Sequence, residues 1–415
     1  MSGQNDYPTE PGFRPTPWGP GTILPAYGGS CITALPSLIE QVLGLGSTMP
    51  GTGLGLPEVP TFDRVLLFIL DGFGYRKARS LFEMYPDLAL NSLSEAGQMV
   101  PLTSVFPSTT VAALVSISTG LSPLQHGMIG YRLYLRETGS ITNMIRFSML
   151  GGGANDSALT AGLTLDSLFP GETFHQRMVA SGVAAHTVLP QYIADSGLSS
   201  ALYRGSSSCH PAAGLSDMLV TARHLLNHAD AKTFVSVYWP GLDTVAHIRG
   251  PQTDAYVAEL RAIDDAIRRE LIGRVDDTLL VFTSDHGFVP MRAEDYVEIH
   301  DHPEIERSML LPPVGEPRAS YFFARSGARD RLAKALEGFA TDGLVLLDPE
   351  ELLAANLLGT GEPHPEIENR IGDLAMVATG QAGIFQAYPD AITLRGMHGG
   401  LTEDEMLVPL LVSPL

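Results

Sequence analysis

Short, unbroken apolar runs separated by longer stretches of helical period set the pattern of this chain. Val65 to Leu70 (VLLFIL) is such a run, and similar ones recur at Phe234 to Tyr238 and at Thr278 to Phe282. A run that is apolar at every position, rather than at every second one, reads as a strand covered on both faces in a parallel sheet. Helical stretches lie between the runs. The clearest is Asp254 to Leu271, where Tyr256, Leu260, Ile263, Ile267 and Leu271 fall on one face, opposite Arg261, Asp265 and Arg269. Helix-like pattern also appears around Leu35 to Leu43 and from Val111 to Ile117. Strands alternating with helices predict an α/β fold: a doubly wound, mostly parallel sheet flanked by helices.

The remaining stretches have another texture. Residues 1–28 are rich in Pro and Gly and lack periodicity, which predicts an extended arm. GLGSTMPGTGLGLPEVP reads as a loop; its glycines follow no phosphate-loop spacing, and no Lys-Ser/Thr pair closes them. From about residue 291 to 370, Pro-Gly turns surround one alternating strand at Ala319 to Phe323, which reads as an inserted smaller α+β segment. The expected organisation is an arm and packing helix (1–60), a catalytic core (61–290 and 371–415) and an insertion or cap (291–370).

Composition narrows the class. The 415 residues are 44% hydrophobic, which excludes wholesale disorder, and two cysteines exclude a disulfide scaffold. Cys31 and Cys209 lack CxxC spacing and read as two ordinary buried thiols, with a disulfide between them left open. Lys+Arg 26 against Asp+Glu 46 gives a net charge of −20, so nucleic-acid polymers and anionic membranes are poor partners. A phosphate-bearing ligand would need a local positive source, such as metal ions. The first residues show no basic segment followed by an apolar one, and the apolar runs fall short of the ~20 residues of a membrane span, so a cytoplasmic protein is expected.

Each buried run is followed by polar residues of a restricted kind. VLLFIL leads into Asp71-Gly72-Phe73-Gly74, FVSVY into WPGLDTVAHIRGP with Asp243 and His247, and TLLVFTS into Asp285-His286-Gly287. Near the C-terminus, MHGG places His398 before two glycines. In open α/β sheets, ligands bind beyond the carboxyl ends of the strands, so these groups are expected to converge. Three carboxylates and three imidazoles suit two zinc ions with open positions. Asp243 and His247 would stand one helical turn apart, while adjacent Asp285 and His286 would point to opposite sides of an extended segment and bridge two metals. Taken singly, an Asp after a strand is often only a cap or turn residue. In VFPSTTVAALVSISTG, Thr109 or Thr110 puts a hydroxyl at a helix N-terminus, where backbone N–H groups favour an anion; the alternative is a purely structural N-cap.

The ordered segments LDGFGYR, FPSTTVAALVSISTGLSPLQHG, YWPGLDTVAHIRGP, TSDHGF and MHGGLTEDEMLVPLL resemble the type I phosphodiesterase/nucleotide pyrophosphatase family of the alkaline phosphatase superfamily. The resemblance covers residues 62–290 and the final 25. It implies an alkaline phosphatase-like core in which Asp71, Asp285 and His286 hold one zinc and Asp243, His247 and His398 the other. The family nucleophile is a threonine three residues after a proline and nine before a Thr-Gly pair; Pro107 and Thr119-Gly120 both point to Thr110, which would also contact the first zinc. Nucleotide pyrophosphatases of the family carry an asparagine further on that donates to a phosphoryl oxygen. Here that place falls in Gly130-Tyr131-Arg132, so Tyr131 or Arg132 is the expected substrate-binding donor, with Tyr131 otherwise an aromatic at the core rim.

The implied reaction is hydrolysis of phosphodiester or pyrophosphate bonds in a small phosphate ester, through a covalent phospho-threonine at a two-zinc site. Two divalent cations balance three carboxylates and a threonine alkoxide, and a neutral site suits a diester monoanion. A phosphomonoesterase or phosphonate hydrolase on the same scaffold is the alternative, in which Arg132, Arg146 or Arg249 would meet the additional charge. No Cys or Ser in a CxPxR-type setting stands for a sulfatase. His224 and His228 read as a solvated helix face, and His300 and His302 as candidate substrate contacts from the insertion.

Overall fold

The computed structural model describes residues 10–46, 54–56, 59–151, 153–164, 168–340, 343–385 and 394–415. Most of the loop around residues 44–60 and the start of the arm lie outside these residues.

A seven-stranded sheet forms the centre, in the order Gln98–Thr103, Leu407–Pro414, Thr278–Thr283, Arg64–Leu70, Thr233–Trp239, Ala184–Pro190 and Ser208–Ala212. Leu407–Pro414 runs antiparallel to both of its neighbours, and the other pairings are parallel. The three middle strands are those with continuous apolar runs. In Arg64–Leu70 the residues Val65, Leu67 and Ile69 join one buried cluster, while Leu66, Phe68 and Leu70 join the other. A strand that feeds two cores has no polar face to alternate with.

Helices Leu35–Val42, Thr110–Thr119 and Phe174–Ala180 contribute to the first cluster. Helices Tyr75–Met84, Leu215–Asn227 and Asp254–Glu270 contribute to the second. The fold is therefore a large, mostly parallel sheet flanked by helices. Thr110–Thr119 is buried at every position, which fits its lack of a polar face.

A second, antiparallel sheet has the order Leu344–Leu347, Leu374–Ala378, Ala319–Phe322, Val314–Glu316, Arg132–Leu135, Ser140–Asn143 and Ser148–Met149. The stretch 291–370 thus shares its sheet with residues 132–149 and 374–378 from the core side of the expected boundaries. Alternate residues again divide: Ala319, Tyr321, Ala375 and Val377 face the main core, and Phe322, Leu374 and Met376 a smaller one with Ile305, Leu332 and Leu336. Buried Arg318 fastens the two sheets' connections. It donates to both Glu405 oxygens at 2.5 and 2.8 Å, and to the carbonyls of Ala382 and Gly380.

Both cysteines are free; Cys31 is buried but Cys209 is exposed. The expectation of two buried thiols fails at Cys209 because it lies on Ser208–Ala212, the edge strand of the central sheet. Among the described residues, no helix is long and apolar enough to cross a membrane.

Candidate active site

Sheet register brings the site together. Ile69 pairs with Tyr238 on one side and Thr283 on the other, so Asp71 and Asp285 each stand two residues past the same level. Gly72 turns the chain with φ +77°, and a Cβ there would lie 2.5 Å from the Phe288 ring. Thr233–Trp239 ends at Pro240, and helix Gly241–Arg249 follows at once. On that helix Asp243 Oδ1 and His247 Nε2 are 3.3 Å apart. Gly396 lets the C-terminal segment approach this helix, since a Cβ would meet the Ala246 carbonyl at 2.5 Å. Two residues later comes His398.

The ligand atoms form two overlapping groups. In the first, His286 Nε2 lies 3.4 Å from Asp71 Oδ1 and 3.5 Å from Asp285 Oδ2. In the second, His398 Nε2 lies 3.2 Å from His247 Nε2 and 4.0 Å from Asp243 Oδ1. His286, Asp243 and His398 also offer atoms within 4.8 Å of one another, and the His286 and His398 rings stack at 3.6 Å. Asp285 and His286 do not point to opposite sides, as an extended segment would require. The chain turns here, with His286 N–H donating to Asp285 Oδ1 at 3.0 Å, and it is His286 that borders both groups.

Hydrogen bonding fixes which atoms face inward. His286 Nδ1 lies 3.1 Å from the Gly287 carbonyl, His247 Nδ1 2.9 Å from that of Gly396, and His398 Nδ1 3.0 Å from that of Ser108. A carbonyl can only accept, so each Nδ1 carries hydrogen and each Nε2 turns to the cluster. This is the arrangement of metal-ligating imidazoles. Asp71 Oδ2 accepts from the Tyr238 hydroxyl and Asp285 Oδ1 from Gly72 N–H, while Asp71 Oδ1, Asp285 Oδ2 and Asp243 Oδ1 are buried without a hydrogen bond. Buried anionic oxygens left bare cost several kcal/mol unless a cation meets them. The donor set therefore fits divalent metal ions.

Electrostatics agree with that picture. Burial, followed by the charges of Asp285 and Asp243, pushes the Asp71 carboxyl well above its usual range. Burial raises Asp243, but the adjacent His247 and then His286 together hold the carboxyl low. Burial and then the neighbouring His286 and His247 depress His398. Phe288 sets its ring edge-on to His247, His286 and His398, at 4.9 to 5.5 Å, and closes one side with apolar surface.

Thr110 begins helix Thr110–Thr119, and its Oγ1 lies 3.2 Å from His286 Nε2. Thr109 is committed elsewhere: its hydroxyl donates to Glu316 at 2.6 Å. A cavity of about 450 Å³ opens from this corner and is lined by Thr110, Asp243, His247, His398, Tyr131 and Arg132 among others. Arg146 also lines it, whereas Arg249, His300 and His302 do not. His224 and His228 are exposed, in the last turn of helix Leu215–Asn227 and at its C-cap.

A family model described as type I phosphodiesterase / nucleotide pyrophosphatase matches residues 65–401. The chain belongs to this family. It is 25% identical over 277 residues to ectonucleotide pyrophosphatase/phosphodiesterase family member 3 of Rattus norvegicus, a match covering 62% of this chain and 29% of that one. The chain thus spans under a third of that curated relative. Among solved structures, murine ectonucleotide pyrophosphatase/phosphodiesterase 5 superposes with a TM-score of 0.64 at 17% identity, covering 84% of this chain and 88% of that one. Phosphonoacetate hydrolase from Sinorhizobium meliloti 1021, in complex with phosphonoformate, gives 0.62 at 21%, covering 84% and 89%. Both share the large sheet flanked by helices.

Tyr131 belongs to the Gly130-Tyr131-Arg132 stretch in which a substrate-binding donor was expected. Its hydroxyl accepts from Asn143 Nδ2 at 2.6 Å, which leaves its own proton to donate. Its N–H donates to Glu316 at 2.7 Å, and the Arg132 guanidinium lies 5.5 Å from its ring centre. Sequence reasoning did not find Tyr238, Phe288, Asn143 or Glu316. Tyr238 and Phe288 sit in apolar runs and look like core residues. Glu316 falls in a Pro- and Gly-rich stretch of sequence, where an acid is unremarked until strand Val314–Glu316 and its burial are known.

Proposed function

We propose that this chain hydrolyses phosphodiester or pyrophosphate bonds of small phosphate esters by way of a phospho-threonine on Thr110. Asp71, Asp285 and His286, with Thr110, would hold one zinc, and Asp243, His247 and His398 the second. The observation that carries this reading is the convergence of three bare carboxylate oxygens and three inward Nε2 atoms beside the Thr110 hydroxyl. Such a metal pair, when bound, lowers the pKa of a neighbouring hydroxyl and stabilises charge on the phosphoryl and leaving oxygens.

The chain's own residues supply the rest. Thr110 Oγ forms the new bond to phosphorus opposite the leaving oxygen, its proton passes to solvent, and the bond from phosphorus to the leaving group breaks. The helix N-terminus at Thr110 turns backbone N–H groups toward the phosphoryl anion. Tyr131 donates its free proton to a phosphoryl oxygen, and Arg132 faces the rest of the substrate. Water then attacks the phospho-threonine, the bond from phosphorus to Oγ breaks, and Thr110 is regenerated.

Thr110→Ala should keep the fold and metal content while kcat/KM for a bis-aryl phosphate falls about a thousandfold or more. Thr109→Ala removes one hydrogen bond and should cost about tenfold or less. A dead Thr109 variant beside an active Thr110 variant would move the nucleophile. Arg132 and Arg146 on the cavity wall favour a second reading, a phosphonate or phosphomonoester hydrolase with a further anionic group on its substrate. Rates on bis-aryl phosphate, aryl phosphate, aryl phosphonate and a nucleotide diester separate the two.

A further inference from the structure

The charge balance that favours a diester counts three carboxylates, yet a fourth acidic side chain stands in the same cavity. Glu316 comes from the second sheet, is 6% exposed, and reaches the corner that holds the nucleophile. Its Oε1 accepts from the hydroxyl of Thr109, the residue before Thr110, at 2.6 Å, and from Tyr131 N–H at 2.7 Å. On its other side, a Cβ on Gly399 would lie 3.2 Å from Glu316 Cβ, so the side chain is packed between the nucleophile loop and the segment carrying His398. Both donors bind the same oxygen. Oε2 belongs to a side chain that lines the cavity with Thr110, His247 and His398.

We propose that Glu316 is the specificity-determining residue of this site, admitting singly charged phosphodiesters and opposing doubly charged phosphomonoesters. The inference rests on the two-metal Thr110 reading and adds to it the residue that sets the choice between diester and monoester. A carboxyl fixed in the cavity that Thr110 lines, by bonds from Thr109 and Tyr131, opposes the second negative charge of a monoester, and a diester does not carry that charge. Burial pushes the Glu316 carboxyl up to about 7, so above that pH it is ionised and carries the opposing charge. Removing that charge eases the dianion by lifting a repulsion. Asp243, His247 and His398 line the same cavity and are the same for both substrates.

The test uses zinc-loaded enzyme with bis(4-nitrophenyl) phosphate and 4-nitrophenyl phosphate, well above pH 7, where Glu316 is ionised. Glu316→Gln keeps an acceptor for Thr109 and Tyr131 while removing the charge. It should raise the monoester-to-diester ratio of kcat/KM on the order of tenfold, with zinc content unchanged. A ratio that stays within about twofold overturns the proposal. If the variant does not fold, inhibition of the wild type decides. The monoanion methyl phenyl phosphate should inhibit more strongly than the dianion phenyl phosphate, and the reverse order refutes the assignment. Thr110→Ala in the same assay keeps the two readings apart: turnover surviving there defeats the phospho-threonine mechanism, whatever the Glu316 ratio.

Discussion

At the scale of single residues, what one ring nitrogen touches decides what a histidine can do. The three site imidazoles give Nδ1–H to carbonyls and keep Nε2 for the cluster. His126 is fixed the other way. Its Nδ1 accepts from Met128 N–H at 3.0 Å, so its proton is on Nε2, 2.9 Å from Ser116 Oγ. Burial, then the charges of His364 and Arg370, lowers its pKa to about 3. The folded value is below the unfolded one of ~6.5, so the unfolded chain takes up the proton first as pH falls. Stability from this group is complete above that unfolded value and is lost progressively toward the folded one. Replacing His126 by Asn should flatten the plot of urea-derived stability against pH by about 1.4 kcal/mol per unit between pH ~6 and ~4. Parallel plots for the two proteins would show that His126 is not held neutral. In the sequence His126 and His398 look alike, each before a glycine. Position after a strand or beside Gly-Gly singled out Asp71, Asp243, His247, Asp285, His286 and His398. Glu316 and Asn143 carried no such mark: Glu316 acts on residues 207 and 185 positions away, and Asn143 reaches Tyr131 across a hairpin that the sequence pattern did not show.

Among elements, the legible ones were those whose pattern is imposed by burial on two faces. The runs at 65–70, 234–238 and 278–282 sit inside the observed central strands, and the helix read from 254 to 271 is observed as Asp254–Glu270. Ala184–Pro190 and Ser208–Ala212 were missed because, toward the sheet edge, they carry His186, Thr187, Ser208 and His210 in place of an apolar run. The second sheet was legible only at Ala319–Phe322, since its strands are short and come from two distant parts of the chain. What joins these parts is also a polar device, the fully buried pair Arg318 and Glu405. Glu405 also accepts from Gly400 N–H and from the Thr402 hydroxyl, so the pair ties the second sheet to the segment after His398. Arg318→Met would leave the carboxylate buried and uncompensated, at a cost of about 3–5 kcal/mol. Urea denaturation should show that loss, and a change below about 1 kcal/mol would mean that the carboxylate is solvated or protonated instead.

For the whole molecule, the site concentrates a conflict that the rest of the chain sharpens. The protein carries a net charge of −20 and buries Asp71 and Asp285 close to the half-buried Asp243, with one buried oxygen of each left bare. Folding without cations must therefore oppose like charges in a low-dielectric corner, and the pKa of Asp71 is raised by burial first and then by the charges of Asp285 and Asp243. Binding cations to the folded state alone adds stability by mass action, about 4 kcal/mol at a thousandfold excess over Kd. One substitution should then act in opposite directions in the two states. Asp71→Asn keeps an acceptor for Tyr238 and removes one charge. In chelator-treated protein it should raise stability by about 1–2 kcal/mol, because two carboxylates ~4 Å apart repel by a few kcal/mol even at an effective dielectric constant of ~20. In zinc-loaded protein it should lower stability, because a ligand is lost. Thermal unfolding of both proteins, with and without chelator, gives four midpoints. If the variant is the less stable in both states, charge repulsion does not govern the metal-free site. If it is the more stable in both, Asp71 is not a metal ligand.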